Sequence, residues 1–279
     1  MSQALGPGQE IGPYRLERLL GEGATGLVYV ATDGQGAPVA LKLLRPEHAA
    51  DGASRARFVR EARVAGAIDS RHLVPILQVG EARGLTYLAM PYYEGGSLSQ
   101  RIGDRGRLRI DETVELAAQL GRGLDELHRR GVLHRDVKPS NVLLDAEGVA
   151  ALSDFGLARA TDWTRLTAEG QILGTPHYLA PELIEGREAS AASDVYALGC
   201  VLYECLAGEP PFAGRGLAAV GFAHLAELPP DPRAHRPEIS SALAEAILSA
   251  LEKDPGARPT SATALARMVH VASRSAEPV

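Results

Sequence analysis

The sequence predicts an α+β fold in two parts, a small β-rich part with one helix and a larger, mainly helical part. Strand-like segments separated by glycine turns dominate the first 90 residues, whereas apolar residues recur at helical spacing after the turn-prone stretch 91–96. We therefore predict a small lobe over residues 1–90, a hinge over 91–96, a large lobe over 97–272 and a linker-like tail over 273–279.

The composition is that of a folded, slightly acidic chain. The 279 residues include 35 Asp and Glu against 29 Lys and Arg, a formal net charge of -6, which argues against a nucleic-acid partner. Residues 1–12 carry no secretory signal, and no apolar run approaches the roughly 20 residues of a membrane span. We expect a cytoplasmic chain without membrane contact, and the cytosolic part of a membrane-anchored receptor has the same features.

The two cysteines, Cys200 and Cys205, lie in the apolar run 195–206. Because they are five positions apart on a predicted helix, their side chains point to different sides. We predict two buried thiols in a reducing compartment rather than a disulfide or a metal site.

The small lobe begins with strands around a glycine-rich turn. The predicted strands are 14–20, 26–31, 39–44 and 86–90. The turn contains Gly21, Gly23 and Gly26, a spacing that also opens dinucleotide-binding folds. Because a strand follows the turn, and not a helix, a hairpin whose backbone lies over phosphates is the better interpretation.

A buried charge pair is predicted between strand 39–44 and the following helix, 54–68. Ala40 and Lys42 share one face of the strand. A lone lysine there also fits a side chain that snorkels to solvent. Glu61, however, falls on the apolar stripe of the helix, where a carboxylate is costly unless it is paired. Lys42 is its natural partner, and the pair would hold the ammonium against phosphate oxygens.

Two helices and a short hairpin are predicted in the large lobe. The apolar stripe of the first helix consists of Val114, Ala117, Leu120, Leu124 and Leu127. The run 195–206 forms a second helix that should be buried on most sides. Between them, segments 141–144 and 149–152 form the hairpin around the turn 145–148.

The strongest motifs flank this hairpin. His-Arg-Asp-Val-Lys-Pro-Ser-Asn occupies residues 134–141, and Ser-Asp-Phe-Gly occupies residues 153–156. Four polar side chains should therefore converge at one end of the hairpin: Asp136, Lys138, Asn141 and Asp154. Asn141 and Asp154 supply hard oxygen ligands that suit Mg²⁺, while Asp136 could accept a hydroxyl proton and Lys138 could neutralise a migrating phosphoryl group. The alternative interpretation is a polar loop with a turn-forming Asp-Phe-Gly.

These motifs, in this order, resemble the signature set of the Hanks-type protein kinases. The resemblance extends from about residue 14 to residue 271 and implies the bilobal protein-kinase fold, with Mg-ATP in the cleft between the lobes. Lys138 and Thr175 occur at positions that resemble the Ser/Thr branch. Segments 199–204 and 208–212 are similar to the bacterial group, in particular to actinobacterial receptor kinases.

The resemblance implies a role for each candidate residue. The implied nucleotide contacts are Leu20, Gly21, Glu22, Gly23, Gly26, Val28, Ala40, Lys42, Met90, Tyr92, Asn141, Leu143 and Asp154. The implied catalytic set is the base Asp136 with Lys138, Lys42 and Glu61. Asn141 and Asp154 are the implied ligands of Mg²⁺, or of Mn²⁺ in its place.

Further matches lie outside the nucleotide site and separate protein kinases from small-molecule kinases. The resemblance implies that Glu182 pairs with Arg258 and that Asp194 braces the catalytic loop. Pro91 departs from the family pattern, because a glutamate is common at this hinge position. The substitution keeps the backbone carbonyl acceptor.

One activation-segment phosphosite is implied. The bacterial group often has two threonines before the Gly-Thr, and this chain keeps Thr167 but has Glu169 at the second position. We expect autophosphorylation at Thr167, with Arg135 as the partner of the phosphate or of Glu169. Thr161 and Thr164 are further candidates.

Two alternatives to a Ser/Thr protein kinase remain at this point. A pseudokinase scaffold would bind nucleotide and signal by docking, although such scaffolds usually lack at least one of the four groups Lys42, Asp136, Asn141 and Asp154. A small-molecule kinase would need a substrate pocket where segment 174–182 lies. The expected partners are ATP, protein substrates and a second copy of the chain bound through the small lobe.

Overall fold

The computed structural model describes residues 5–23, 26–44, 68–155 and 176–275. The chain divides into two compact units, Met1–Glu94 and Gly95–Val279. Residues 54–67 of the predicted helix lie outside the described residues. So do these individually predicted residues: Glu61, Gly156, Thr161, Thr164, Thr167, Glu169 and Thr175. Within the described ranges, no helix is both long enough and apolar enough to cross a membrane.

The first unit contains an antiparallel sheet. Its strands are β1 (Glu10–Ile11), β2 (Tyr14–Glu22), β3 (Gly26–Thr32), β4 (Pro38–Leu44), β5 (Gln78–Ala82) and β6 (Leu85–Pro91). They follow the spatial order β1-β2-β3-β4-β6-β5. The four predicted strands are confirmed to within two residues at each end, whereas β1 and β5 were not predicted.

One face of this sheet forms the core of the first unit. Leu41 and Leu43 of β4 pack there with Tyr29 of β3 and Tyr87 of β6. Ile11 of β1 is fully buried in the same cluster, so residues before β2 contribute to the core. Burying a side chain of this size contributes about 1.5–3 kcal/mol, which gives each strand a fixed inward face.

The second unit is mainly helical. Its helices are α1 (Leu98–Arg105), α2 (Ile110–Arg129), α3 (Pro181–Ile184), α4 (Ala191–Ala207), α5 (Leu217–Ala226), α6 (Ser241–Ser249) and α7 (Ala262–Arg274). An antiparallel hairpin joins β7 (Val142–Leu144) to β8 (Ala150–Leu152). The predicted α+β class is confirmed, and α7 continues two residues into the segment that we expected to be a linker.

Helices α2 and α4 form the centre of the second unit and pack against each other. The predicted stripe of α2 is buried from Ala117 onward, but Val114 is only half-buried and Leu116 lies in the core instead. Helix α4 is buried along most of its length, as predicted. Cys200 and Cys205 are buried free thiols, and burial raises the pKa of both.

Candidate active site

The glycine-rich turn between β2 and β3 is a narrow hairpin. Gly23 N donates to Gly26 O at 2.8 Å, and Gly26 N donates to Gly23 O at 3.3 Å. A Cβ at Gly26 would lie 2.0 Å from the carbonyl oxygen of Leu43, so only glycine fits there. A Cβ at Gly21 would meet no atom within 4 Å. The packing of the sheet therefore requires glycine at position 26 but not at position 21.

Four predicted nucleotide contacts share the sheet face opposite the core. Val28 of β3 pairs with Lys42 of β4, and Ala40 of β4 pairs with Met90 of β6. Directly opposed residues of antiparallel strands project to the same face. These positions alternate with core residues such as Leu41. The register of three strands thus brings the four side chains onto one surface.

Lys42 is buried on this face, with 4% of its surface exposed. Its side chain does not snorkel to solvent, so the alternative interpretation of this lysine was wrong. A buried ammonium is costly unless charged or polar groups surround it. Glu61, the predicted partner, lies outside the described residues, so the Lys42–Glu61 pair stays a prediction.

The remaining predicted contacts of the first unit are more open. Leu20 and Glu22 are exposed on β2, beside the glycine hairpin. Tyr92 follows β6, is half-buried, and its hydroxyl accepts a hydrogen bond from Arg18 Nη2 at 3.0 Å. Side chains at these positions are accessible to a ligand on the surface of the sheet.

In the second unit, three side chains that we predicted to be catalytic or metal-binding meet in the loop of residues 134–141, which we call the catalytic loop after that prediction. Lys138 Nζ lies 2.8 Å from Asp136 Oδ2. Asn141 Nδ2 donates to the main-chain oxygen of Asp136 at 2.8 Å and to its Oδ2 at 2.9 Å. These bonds use both amide hydrogens and orient Asn141 Oδ1 as an acceptor for another group.

The hairpin of β7 and β8 brings Asp154 to the same end as Asn141. Asn141 directly precedes β7, and Asp154 follows β8 by two residues. Ser153 N and Oγ both donate to Asn141 O, at 2.8 and 3.1 Å. Asp154 has a φ of 60°, a left-handed conformation that is costly for a residue other than glycine and concentrates at functional sites.

Asp194 of α4 supports the backbone of the catalytic loop. Its Oδ2 accepts from His134 N at 2.9 Å, and its Oδ1 accepts from Arg135 N at 2.9 Å. His128 Nε2, from the last turn of α2, lies 2.8 Å from Asp194 Oδ2. The supporting role of Asp194 was expected from the resemblance. The contact of His128 was not, because nothing in the sequence distinguishes it from any histidine at a helix end.

His134 is a neutral, fully buried part of the loop. Burial lowers its pKa, although the nearby carboxylates of Asp194 and Asp136 oppose the shift. Its Nδ1 accepts from Asp136 N at 3.3 Å, which places the ring proton on Nε2. The imidazole ring therefore helps to fix the backbone of Asp136.

A buried charge pair joins α3 to the turn before α7. Arg258 Nη1 and Nη2 each donate to one carboxylate oxygen of Glu182 at 2.8 Å. The side chains are 0% and 3% exposed. Burial alone would raise the pKa of Glu182, but hydrogen bonds from Arg258 and from Ser193 hold it below its ordinary value. The predicted pair is present and has bidentate geometry.

Another link, which we did not predict, joins residues 176–178 to α4. Tyr178 Oη donates to Glu204 Oε2 at 2.6 Å. Burial raises the pKa of Glu204, and the hydrogen bond from Tyr178 partly offsets this. The sequence contained a signal, because Glu204 is the only charged residue in the apolar run 195–206. An acid in such a helix indicates a specific polar partner.

The chemistry of Asn141 and Asp154 fits a Mg²⁺ site. One amide oxygen and one carboxylate are hard ligands, and Mg²⁺ commonly takes few protein ligands and fills its octahedron with phosphate oxygens and water. In the ranges that the structure describes, no group of three or more His, Cys, Asp or Glu side chains forms a metal-binding cluster. Two protein ligands leave most of the octahedron open, which suits a Mg²⁺ ion that also binds the phosphate oxygens of a nucleotide.

Comparison with known proteins identifies the family and the fold. Residues 14–269 match the protein kinase domain family, so the chain belongs to that family. Members of the family use ATP and a divalent metal ion to phosphorylate proteins. The kinase domain of PknI from Mycobacterium tuberculosis has a similar crystal structure, with a TM-score of 0.77 at 32% identity, covering 98% of this chain and 100% of that one. The fold is thus the protein-kinase fold.

The curated relatives are longer than this chain. It is 40% identical over 271 residues to the serine/threonine-protein kinase PknE of Mycobacterium tuberculosis, which covers 97% of this chain and 48% of PknE. It is also 40% identical over 272 residues to PknD of the same species, covering 97% of this chain and 41% of PknD. The chain thus spans about half the length of the curated relatives it matches.

Proposed function

We propose that this chain is a Ser/Thr protein kinase catalytic domain, which transfers the γ-phosphoryl group of Mg-ATP to serine and threonine hydroxyls of proteins. The observation that carries the proposal is the catalytic loop, where the carboxylate of Asp136 contacts both Lys138 and Asn141. The loop is anchored to α4 through Asp194. The names of the 40% identical relatives support the Ser/Thr class.

The roles in transfer follow from the chemistry of these groups. Asp136 accepts the proton of the substrate hydroxyl while the hydroxyl oxygen bonds to the γ-phosphorus of ATP. The bond between the γ-phosphorus and the oxygen that bridges to the β-phosphate breaks, and ADP leaves with that oxygen. Lys138, 2.8 Å from Asp136, neutralises charge on the phosphoryl group. Asn141 and Asp154 would hold Mg²⁺, which neutralises phosphate charge when bound. Mn²⁺ suits the same oxygen ligands.

Nucleotide binding is assigned to the open face of the first unit. Val28 and Ala40 are apolar and adjacent in the register to Lys42 and Met90. We assign the adenine to the apolar positions and the phosphates to Lys42 and the glycine hairpin. An open Cβ position at Gly21 lets phosphate approach the backbone there.

Regulation is assigned to Arg135, which precedes the catalytic base. Arg135 has a φ of 67°, a left-handed conformation. Its Nε is buried without a hydrogen-bond partner in the described part of the chain, and the residue lines a small cavity with Asp194 and Tyr178. A phosphate on Thr167, or the carboxylate of Glu169, would supply the missing acceptors for its guanidinium.

The partners follow from the same proposal. The reaction requires ATP and protein substrates, and we assign this domain to the cytoplasm because ATP is available there. We also propose a homodimer through the first unit, which leaves large apolar side chains such as Leu19 and Leu77 exposed. Pseudokinase scaffolds usually lack at least one of the catalytic groups, whereas this chain keeps Lys42, Asp136, Asn141 and Asp154.

Intact-mass spectrometry after incubation with Mg-ATP tests the proposal. The wild-type chain should gain phosphates, and peptide mapping should place one on Thr167. The Asp136→Asn variant should gain none under the same conditions. A wild-type mass that does not change with Mg-ATP or Mn-ATP, with a generic protein substrate also unmodified, would show that the chain lacks this activity.

A further inference from the structure

Gly95, the first residue of the second unit, lies against the backbone of the β7–β8 hairpin. A Cβ at this position would be 2.4 Å from the carbonyl oxygen of Asp145 and 2.7 Å from that of Leu144. Both obstacles are backbone atoms, so rotation of a side chain cannot relieve the clash. The requirement for glycine comes from this close approach, because its φ is outside the left-handed region.

The residues that follow Gly95 are tied to β7. Leu144 N donates to Gly96 O at 2.9 Å, and Ser97 forms an antiparallel bridge with Leu143. Ser97 also caps α1, because its Oγ accepts from Gln100 N at 3.2 Å. Segment 95–97 is therefore fixed to β7 on one side and to α1 on the other.

Strand β7 presents one side chain away from the core. Val142 and Leu144 are fully buried, whereas Leu143 between them is half-buried. Successive side chains of a strand point to opposite faces, so Leu143 lies on the other face. Leu143 is the residue of this strand that we assigned to the nucleotide. The bridge to Ser97 places the segment beginning at Gly95 directly beside it.

We propose that Gly95 is a positioning residue for the adenine, because it sets how closely segment 95–97 lies against β7 and hence the space beside Leu143. This inference rests on the proposed function. A side chain at position 95 would move the segment away from β7 and weaken the hydrogen bond between Leu144 N and Gly96 O. The base would then lose contact with Leu143, while the catalytic loop, which precedes β7, would keep its hydrogen bonds.

The test separates nucleotide affinity from turnover. For Gly95→Ala we expect roughly a 10-fold rise in KM for ATP and in the Kd measured by direct titration, because the base loses apolar contact with Leu143. The value of kcat should change less than about 2-fold, because the catalytic loop keeps its hydrogen bonds. Gly103→Ala is the matched control, because its Cβ would meet no atom within 4 Å. It should leave KM, Kd and kcat unchanged.

A second variant covers the case in which Gly95→Ala does not fold. Gly96→Ala would meet only the movable side chain of Gln100, but its φ of 70° disfavours alanine and should shift the same segment more mildly. It should raise KM and Kd by a smaller factor. Unchanged ATP affinity in the folded variants, or equal losses in kcat and affinity, would overturn the inference. An inactive wild-type chain that binds ATP would refute the proposed function instead, while the Kd comparison would still test Gly95.

Discussion

Removing Arg258 should bring the protein close to unfolding. In Arg258→Ala, the carboxylate of Glu182 loses both hydrogen bonds from the guanidinium and keeps the one from Ser193, while only 3% of its side chain is exposed. Breaking a buried pair on one side costs about 3–5 kcal/mol. Arg258 also donates to the carbonyl oxygens of Glu252, Ala192 and Lys253, and each lost bond adds about 1 kcal/mol. The sum is comparable to the whole stability of many domains, about 5–15 kcal/mol.

Urea unfolding of the purified chain measures this loss. The matched control is Arg233→Ala, which removes a partly exposed arginine from its contact with Asp231 and should cost less than about 1 kcal/mol. A double variant, Arg258→Met with Glu182→Leu, should recover part of the loss because no uncompensated charge stays buried. If Arg258→Ala costs no more than Arg233→Ala, the buried pair does not stabilise the fold and our reasoning is wrong.

Two further predictions concern the glycine hairpin and a buried histidine. Gly26→Ala should lower both Tm and ATP affinity, because its Cβ would clash with the carbonyl oxygen of Leu43. Gly21→Ala should raise KM for ATP and leave Tm unchanged, because its Cβ would meet no atom. Equal losses of Tm for the two variants in thermal melts would contradict this prediction. The pKa of His224 is lowered from 6.5 to about 3, mainly by burial and to a smaller extent by the positive charge of Lys253. Between these two pH values the histidine is protonated in the unfolded state and neutral in the folded state. Stability should therefore fall as pH decreases, by about 2 kcal/mol from this group between about pH 7 and pH 5. His224→Asn keeps an acceptor for the hydroxyl of Tyr196 and should remove this contribution to the pH dependence of stability, as measured by denaturant titrations at several pH values. An unchanged dependence of stability on pH would show that His224 does not cause it.

The sequence predicted parts of the candidate site where charged or polar residues occupy positions at which folding alone favours apolar ones. Lys42 in an apolar strand and the polar groups at the end of the hairpin cost folding free energy, and residues of this kind often indicate a functional site. The pairing of Glu182 with Arg258 followed from the family resemblance. The structure supplied what spacing could not, such as the contact between Asn141 Nδ2 and Asp136.

Other features leave little trace in the sequence. Strand β1 has two residues, too few to show a period of two, so the burial of Ile11 could not be predicted. In α2, Val114 and Leu116 are both apolar, and only the packing of neighbouring helices decides which one is buried. The need for glycine at position 95 depends on a carbonyl 50 residues away, at Asp145. Long-range backbone contacts of this kind have no local signature.

The central claim is that Asp136 acts in the transfer step and not in holding the nucleotide. The most direct test compares kcat and the Kd for ATP between the wild-type chain and Asp136→Asn, a variant of nearly the same size. We predict that kcat falls roughly 10²-fold to 10⁴-fold, on the scale of general-base catalysis, while Kd stays unchanged. Full turnover in Asp136→Asn, or a loss of ATP affinity equal to the loss of turnover, would contradict the account.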